Sequence, residues 1–477
     1  VKRDVAALAS RDYDVLVVGG GVSGAAAAWD AAQRGLDVAL VEAEDFGGGA
    51  SWASLKTVHG GLRHLQRADL VGFRESVRER RALLRIAPEI VRPLPFLVPT
   101  VGHGLRSRAA LGLALRLNDL LSWDRNRDVP AERHLAKGRL LSPQAARELV
   151  PGLSERGLTG AAVWWDAQLT HGERLVMGLL AAAAGAGAVV ANRVEVTGLL
   201  ASQYRVTGAR ARDALTGVAF EIRARFVINA AGAAFGRLLP EGAGRAARGL
   251  PLLHALNLVL RRPVVRTHAV GVASGGRYLF LVPWRDRAIA GTAYATDAGV
   301  PAEGLVEAFR SEAARAFPWA GIEARDVALV HRACVPGRAT GPLTRSRVVD
   351  HESEDRLAGL VSIVAAKYTT ARGVAERAVD LIVARLTRRS GRCRTAETPL
   401  PAARPLAESV EGQARHAVRE EMALGLGDVV LRRTDLGTAG EPEPAQLAVV
   451  ERVLAAELGW DEERVRQERA ALRGHYP

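Results

Sequence analysis

The stretch Asp14-Val-Leu-Val-Val-Gly19-Gly-Gly-Val-Ser-Gly24 decides the fold. Its opening residues form a short apolar run of the kind that becomes a strand buried on both faces, and the run enters a glycine-rich turn directly. Ala25 to Arg34 reads as a small-residue helix that Gly35 ends, and Asp37 to Glu42 reads as a second strand. The result is a βαβ unit. Within it Gly19 permits the tight turn, Gly21 lets the backbone approach a pyrophosphate, and Gly24 lets helix and strand pack closely. The helix N-terminus, with Val22 and Ser23 in its first turn, aims amides at the phosphates. Glu42, at the end of the second strand, is placed to accept hydrogen bonds from ribose hydroxyls; the plainer alternative is a solvated acid at a strand end. A carboxylate there also repels a 2′-phosphate and argues against NADP. The unit predicts a dinucleotide site and leaves FAD and NAD both open.

The chain of 477 residues is 48% hydrophobic and 25% charged, which predicts two or three domains with large cores. No stretch reaches the roughly 20 apolar residues that a membrane span needs. Val1 to Asp14 lacks the order of a secretory signal, so a cytoplasmic address is expected. With only Cys334 and Cys393 there is no disulfide framework, no CxxC pair and no cysteine zinc site; redox chemistry must come from a cofactor, and no metal is expected. A net charge of +13 suits a small anionic substrate or the anionic inner face of the cell membrane. No nucleic-acid motif is present, and a nucleic-acid partner is not expected. Only four of the 65 basic residues are lysines, so Lys56 and Lys367 draw notice as places where a compact ammonium is wanted instead of a guanidinium.

Further along, Val189 to Leu200, Tyr204 to Ala211 and Ala219 to Asn229 read as strands, the last ending at Ala230-Ala231-Gly232. Leu256 to Arg261, Arg277 to Pro283 and Ala288 to Thr292, with a hairpin turn at Trp284 to Arg287, predict an antiparallel sheet. Leu357 to Val364 reads as another buried strand, followed by Ala365 to Thr370 and a helix to about Arg388. The fold expected is α/β and α+β: a Rossmann-type cofactor domain (1–250 and 346–400, with substrate-domain segments around 85–165), an antiparallel-sheet substrate domain (251–345) and a C-terminal helical cap (401–477). Leu105 to Leu121, with Arg106, Arg108 and Arg116 among leucines, reads as an interfacial helix or as a core helix.

The segment Ala50-Ser51-Trp-Ala-Ser54-Leu-Lys56-Thr-Val-His59-Gly60-Gly61-Leu-Arg63 closely resembles the flavin-contacting stretch of FAD-dependent glycerol-3-phosphate dehydrogenases. Glu75 to Pro99, Asp166-Ala-Gln168, Asn229 to Gly232, Val282-Pro-Trp284, Gly291-Thr292, Ala366 to Thr370, Arg432-Arg433-Thr434 and Glu457 to Asp461 are similar to that family in order and approximate spacing, over nearly the whole chain. The resemblance implies FAD. Its contacts would include Ser51, Ser54, Lys56, His59, Gly60, Gly61, Val194, Ala231, Gly232, Lys367, Tyr368, Thr369 and Thr370. The glycines at 60 and 61 and the small hydroxyls would let the chain reach the isoalloxazine. Lys367 to Thr370, at a strand-to-helix turn, would aim amides at the edge where reduced flavin gathers negative charge. Arg63 would clamp a phosphate or carboxylate, with a surface arginine as the alternative.

Two departures bear on chemistry. The family carries Lys-Gly-Ser-His on a substrate-domain strand where this chain has His254-Ala-Leu-Asn257, and Asn has no titratable group near neutrality. His254 points to the opposite strand face from Asn257. Where the family reads Val-Arg-Pro, this chain has Cys334-Val335-Pro336, and Arg338, Arg345 or Arg347 would have to compensate. His64 stands in place of a tyrosine. Candidates for the chemistry are therefore His254, Asn257, His64 and Lys367, with His331 a further imidazole; those for substrate are Arg63, His64, Arg345, Arg347 and Lys367. The expectation is oxidation of a small hydroxylated anion, glycerol 3-phosphate to dihydroxyacetone phosphate by resemblance. A hydride would pass to flavin N5 and electrons onward to a quinone or other acceptor. The alternatives are an oxidase or dehydrogenase of another alcohol, hydroxy acid or amine, and a non-catalytic flavin-binding subunit.

Overall fold

Tyr13–Val18, six residues all buried, is the strand around which the first unit is built. The computed structural model describes residues 2–154, 156–239, 250–296, 302–338, 340–387, 390–401 and 408–477. The first unit comprises Val1–Trp52, Gly172–Leu253 and Ala333–Gly474. Its sheet runs in the order Arg347–Asp350, Leu360–Val364, Ala219–Asn229, Tyr13–Val18, Val38–Val41, Val189–Ala191. The interior pairs are parallel, so their residues read as unbroken apolar runs. An antiparallel meander, Val194–Ser202 and Arg205–Asp213, leads back into Ala219–Asn229.

Helix Val22–Gln33 follows the glycine turn and buries every residue from Ser23 to Ala32. It lies against helices Gly172–Gly185 and Ala371–Arg385. Alanine and glycine suit this crowding, because a Cβ on Gly24 would stand 1.9 Å from the Gly19 carbonyl oxygen. The last of these helices ends at Arg385; position 388 lies outside the described residues.

The C-terminal helices Val410–Glu421, Pro444–Leu458 and Glu462–Arg473 cluster with this unit, and residues 402–407 at the expected boundary lie outside the described residues. Buried charge explains the attachment. Asp45 takes two hydrogen bonds from the Arg433 guanidinium, at 2.9 and 2.6 Å, and a third from Arg432 Nε at 2.5 Å. Arg433 is 1% exposed and Asp45 2%. Glu421 binds Arg174 through two bonds of 2.7 Å.

The second unit comprises Ala53–His171, His254–Arg332 and His475–Pro477. The whole of 53–171 belongs here, where the sequence suggested only segments around 85–165, because Val91–Val101 pairs along its full length with Leu158–Leu169. The sheet order is Val327–Arg338, Leu252–Leu260, Arg287–Thr296, Arg277–Trp284, Ala269–Ser274, Val91–Val101, Leu158–Leu169, Thr57–Val58. Arg277–Trp284 and Arg287–Thr296 form the expected hairpin. Alternation along the former divides the faces: Leu279 and Leu281 enter a core with Phe309, Ala313 and Phe317, whereas Phe280 and Val282 join Phe96 and Trp164 on the other side. Among the described residues no helix is long and apolar enough to cross a membrane.

Candidate active site

In the first unit three strand ends and their following turns converge. Gly19 adopts φ +110°, and a Cβ there would meet the Ala230 carbonyl oxygen at 2.5 Å, so only glycine lets the turn after Val18 pass the end of Asn229. Gly21 caps helix Val22–Gln33 without a side-chain hydrogen bond, and a Cβ on it would find only Ser51 Oγ within contact, at 3.2 Å. That leaves bare backbone before the first helical turn, whose amides have no partner within the helix. Ser51 Oγ accepts from Val22 N at 3.0 Å. Glu42 accepts from Gly20 N at 2.7 Å and from Glu44 N at 2.9 Å, while burial pushes its pKa up against those bonds. Val194 N donates to the Glu42 carbonyl at 2.8 Å, which ties the meander to the acid. Phe46 packs on Gly20, and Gly47 N donates to the Gly20 carbonyl at 3.0 Å.

The third turn, Ala365 to Thr370, follows strand Leu360–Val364 and caps helix Ala371–Arg385. Ser346 Oγ accepts from Ala366 N at 3.0 Å and lies 3.4 Å from Thr370 Oγ1. Tyr368 Oη donates to the Gly172 carbonyl at 2.7 Å; burial and then Glu173 push its pKa well above the ordinary phenol value. Thr369 and Thr370 are buried and Lys367 is half-buried. Ala231 N donates to Asn229 Oδ1 at 3.3 Å, and Gly232 follows at φ +58°.

In the second unit the segment Ala53 to Arg63 meets the aromatic face. Lys56 is fully buried at φ +58°, its Nζ 5.5 Å from the centre of the Trp284 ring. His331 is also fully buried, with Nδ1 3.2 Å from the Ser54 carbonyl; burial and then the Lys56 charge pull its pKa well down, so it is held neutral. His59 is different. Its side chain is 42% exposed, Nδ1 stands 3.3 Å from Asp166 Oδ2 and Nε2 2.8 Å from Thr57 Oγ1. Asp166 is buried and also accepts from Gly60 N at 2.7 Å, from Trp164 Nε1 at 3.3 Å and from Arg80. Despite burial, Arg80, His59 and the Gly60 amide hold its pKa down at about 2.

Gly60 has a neighbour that its expected role did not include. A Cβ there would stand 2.0 Å from Arg80 Nη1, so the missing side chain makes room for a buried guanidinium. Gly61, at φ +88°, faces Ser76 and Phe73.

Comparison with known proteins settles the family. The profile of the FAD dependent oxidoreductases matches residues 14–381, and that of the C-terminal domain of alpha-glycerophosphate oxidase matches 392–465. A glycerol-3-phosphate dehydrogenase of Synechocystis sp. is 30% identical over 429 residues, covering 84% of this chain and 75% of its own length. The chain belongs to the FAD-dependent glycerol-3-phosphate dehydrogenase family. The human mitochondrial glycerol-3-phosphate dehydrogenase is 32% identical over 413 residues; they cover 80% of this chain but 54% of that protein, so the chain spans about half the length of its mitochondrial relatives. The glycerol-3-phosphate dehydrogenase of Bacillus halodurans, solved in complex with FAD, shares the fold at TM-score 0.74 and 23% identity, over 99% of this chain and 96% of that one.

A bound FAD would be held, by the expectation for a glycine turn, with its pyrophosphate toward the backbone at Gly21 and its ribose toward Glu42. Other expected residues have local partners. His64 is buried with Nδ1 2.8 Å from Asp69 Oδ2, and Asp69 caps helix Leu70–Ile86. Asn257 is 1% exposed; Thr292 Oγ1 donates to its Oδ1 at 2.7 Å and its Nδ2 donates to the Ala53 carbonyl at 3.3 Å. It clasps the backbone at Ala53. His254 is half-buried on the same strand. Arg347 donates to Glu354 at 2.6 Å, Arg345 and Arg338 are exposed, and Val335 is half-buried. Arg63 is exposed, with its pKa drawn down by partial desolvation and by Arg67, against a pull upward from Tyr294 and a further push down from Arg277. Arg80 and the orienting role of Asp166 went unread in the sequence, although both fall in stretches, Glu75 to Pro99 and Asp166-Ala-Gln168, that are similar to the family.

Asp166 leads to a prediction about acid. Its folded pKa lies below the unfolded value of about 3.9, so its contribution to stability is complete above about pH 4 and is lost as pH falls toward 2. Thermal midpoints measured from pH 5 to 2 should fall steeply, and Asp166→Asn should flatten that slope while lowering the midpoint at neutral pH. An equal slope in both proteins would exclude Asp166 as a source.

Proposed function

We propose that this oxidoreductase oxidises glycerol 3-phosphate to dihydroxyacetone phosphate and passes the electrons to a quinone or another acceptor, working in peripheral contact with the inner face of the cell membrane. The observation that carries the reading is His59. It is a half-exposed imidazole oriented by a buried carboxylate, as a group that accepts an alcohol proton should be. Bound FAD supplies the hydride acceptor. His59 takes the hydroxyl proton, and Asp166 steadies the imidazolium that forms. Arg63, with Arg67 and Arg277 near it, favours an anionic group on the substrate. Lys56 and His331 are enclosed and hold the shape of the stretch that carries His59. The names of the relatives support the same substrate.

A second reading, oxidation of a hydroxy acid without phosphate, draws on Val335 in place of an arginine and on the closed hydrogen bonding of Asn257. Anaerobic mixing separates the two. Glycerol 3-phosphate should bleach the flavin spectrum, and glycerol, lactate and 2-hydroxyglutarate should not. Bleaching by lactate or 2-hydroxyglutarate alone would transfer the assignment to the second reading. No bleaching by any of the four would leave neither standing.

A further inference from the structure

Arg63 stands in the short helix Leu62–Leu65 of the second unit, four residues beyond His59. After its own partial desolvation, the groups that act on its charge are Arg67, Tyr294 and Arg277, none of them a carboxylate. Arg277 has an acid of its own: its Nη2 donates to Glu312 Oε2 at 2.8 Å, and Ser274 Oγ donates to Glu312 Oε1 at 2.9 Å, so both carboxylate oxygens are engaged. Tyr294 reaches this neighbourhood along the hairpin. The Phe280 ring lies 6.4 Å from that of His59, and Phe280 pairs with Gly291. A Cβ on Gly291 would stand 2.1 Å from Asn257 Oδ1 and 2.9 Å from Leu55, so bare backbone passes close over both. The next residue, Thr292, gives its hydroxyl proton to Asn257 Oδ1 at 2.7 Å. Two residues further along the same strand, alternation sends Tyr294 to the side that Thr292 faces.

Tyr294 is turned the wrong way for a surface tyrosine. Such a residue lays its ring on apolar neighbours and keeps its oxygen in water. Here the side chain is 40% exposed, yet burial is the largest influence on the hydroxyl and raises its pKa, against the Thr292 hydroxyl, Arg63 and Arg277, which pull it down. The phenol therefore keeps its proton at neutral pH and is a hydrogen-bond donor aimed inward among cations. Its neighbour Thr292 offers only a neutral oxygen, already committed as a donor to Asn257. A charged phosphate oxygen is a stronger acceptor than a hydroxyl, and the exposed Arg63 guanidinium supplies the charge that draws one there.

We infer that Tyr294 is a specificity-determining residue of this enzyme: its hydroxyl donates to the phosphate that Arg63 neutralises, with Arg277 adding positive charge beside them, so that a substrate anchored there presents its alcohol to His59. The inference rests on the substrate reading given above for the identity of the anion. Tyr294→Phe keeps the ring and removes the donor. In anaerobic stopped-flow with the FAD-loaded full chain, the glycerol 3-phosphate concentration that half-saturates flavin reduction should rise about 10- to 100-fold, the range for a hydrogen bond to a charged group. The limiting rate should stay within about threefold of the parent, and retained FAD content shows that the variant folds. In an Arg63→Gln background the same change should cost less than about threefold, because the phosphate is no longer held where the phenol reaches it. Inorganic phosphate titrated calorimetrically into the oxidised protein should bind Tyr294→Phe more weakly than the parent by a similar factor. An unchanged half-saturating concentration, or the full loss in both backgrounds, would overturn the role of Tyr294. If glycerol 3-phosphate leaves the parent's flavin oxidised, the substrate assignment fails and the phosphate titration decides alone. Weaker binding to the variant then upholds the phosphate seat, and equal binding, or none by the parent, overturns it.

Discussion

His59→Gln is expected to slow anaerobic reduction of the flavin by substrate about 100- to 10,000-fold, the range associated with removing a positioned proton acceptor. Glutamine keeps a polar side chain of similar reach beside Thr57 and Asp166, so FAD content and the oxidised spectrum should be retained. The other imidazoles are poor substitutes for identifiable reasons. His331 has no exposed surface and is held neutral beside Lys56. His64 is buried against Asp69. Stopped-flow traces at saturating substrate would read the effect directly, and a variant rate within roughly twofold of the parent would remove His59 from the chemistry. Asp166→Asn should give a smaller loss in the same assay, because the imidazole would keep its place while losing the carboxylate that stabilises its charge.

The second large effect should come from Asp45→Ala. The two guanidinium groups that converge on this carboxylate are Arg433, 1% exposed, and Arg432, 11% exposed on its side chain. Breaking a buried pair by deleting one partner costs about 3–5 kcal/mol, because the remaining charge stays out of water. Arg432 keeps Asp428 and Arg433 keeps the Glu421 carbonyl, which places the expectation within that range and not beyond it. Urea denaturation of the FAD-loaded protein at neutral pH measures the loss, and an unchanged midpoint would refute the account of how the C-terminal helices are held. FAD affinity should weaken as well. Asp45 belongs to the loop in which Phe46 packs on Gly20 and the Gly47 amide holds the Gly20 carbonyl, so releasing the carboxylate loosens the glycine turn.

The βαβ unit was legible because its evidence is local: an apolar strand, three spaced glycines and an acid all fall between Asp14 and Glu42. The hairpin around Arg285 and Asp286 was legible for the same reason. Membership of the second unit was not, since it depends on Val91–Val101 pairing with Leu158–Leu169 across more than fifty intervening residues. Within the site, Lys56, His59 and Gly60 lie in a recognisable segment, but the partner that orients His59 is 107 residues away and invisible to any spacing rule. Asn257 could be seen to lack a titratable group, whereas its grip on Ala53 needed coordinates. The leucine-rich helix shows the limit of periodicity. An apolar stripe on Arg108–Leu121 looks the same in sequence whether it faces a core or the outside.

The void at Gly60 has a consequence for how this protein can change over generations. Because a methyl group at position 60 would collide with the Arg80 guanidinium, neither residue is at liberty to mutate alone. A side chain at 60 requires the Arg80 guanidinium to give way, and shortening Arg80 first leaves the buried Asp166 carboxylate, on which His59 leans, without its buried cation. Descent from this sequence therefore has a narrow door there. Lineages that pass through it should carry paired replacements at 60 and 80, with position 166 altered in their company.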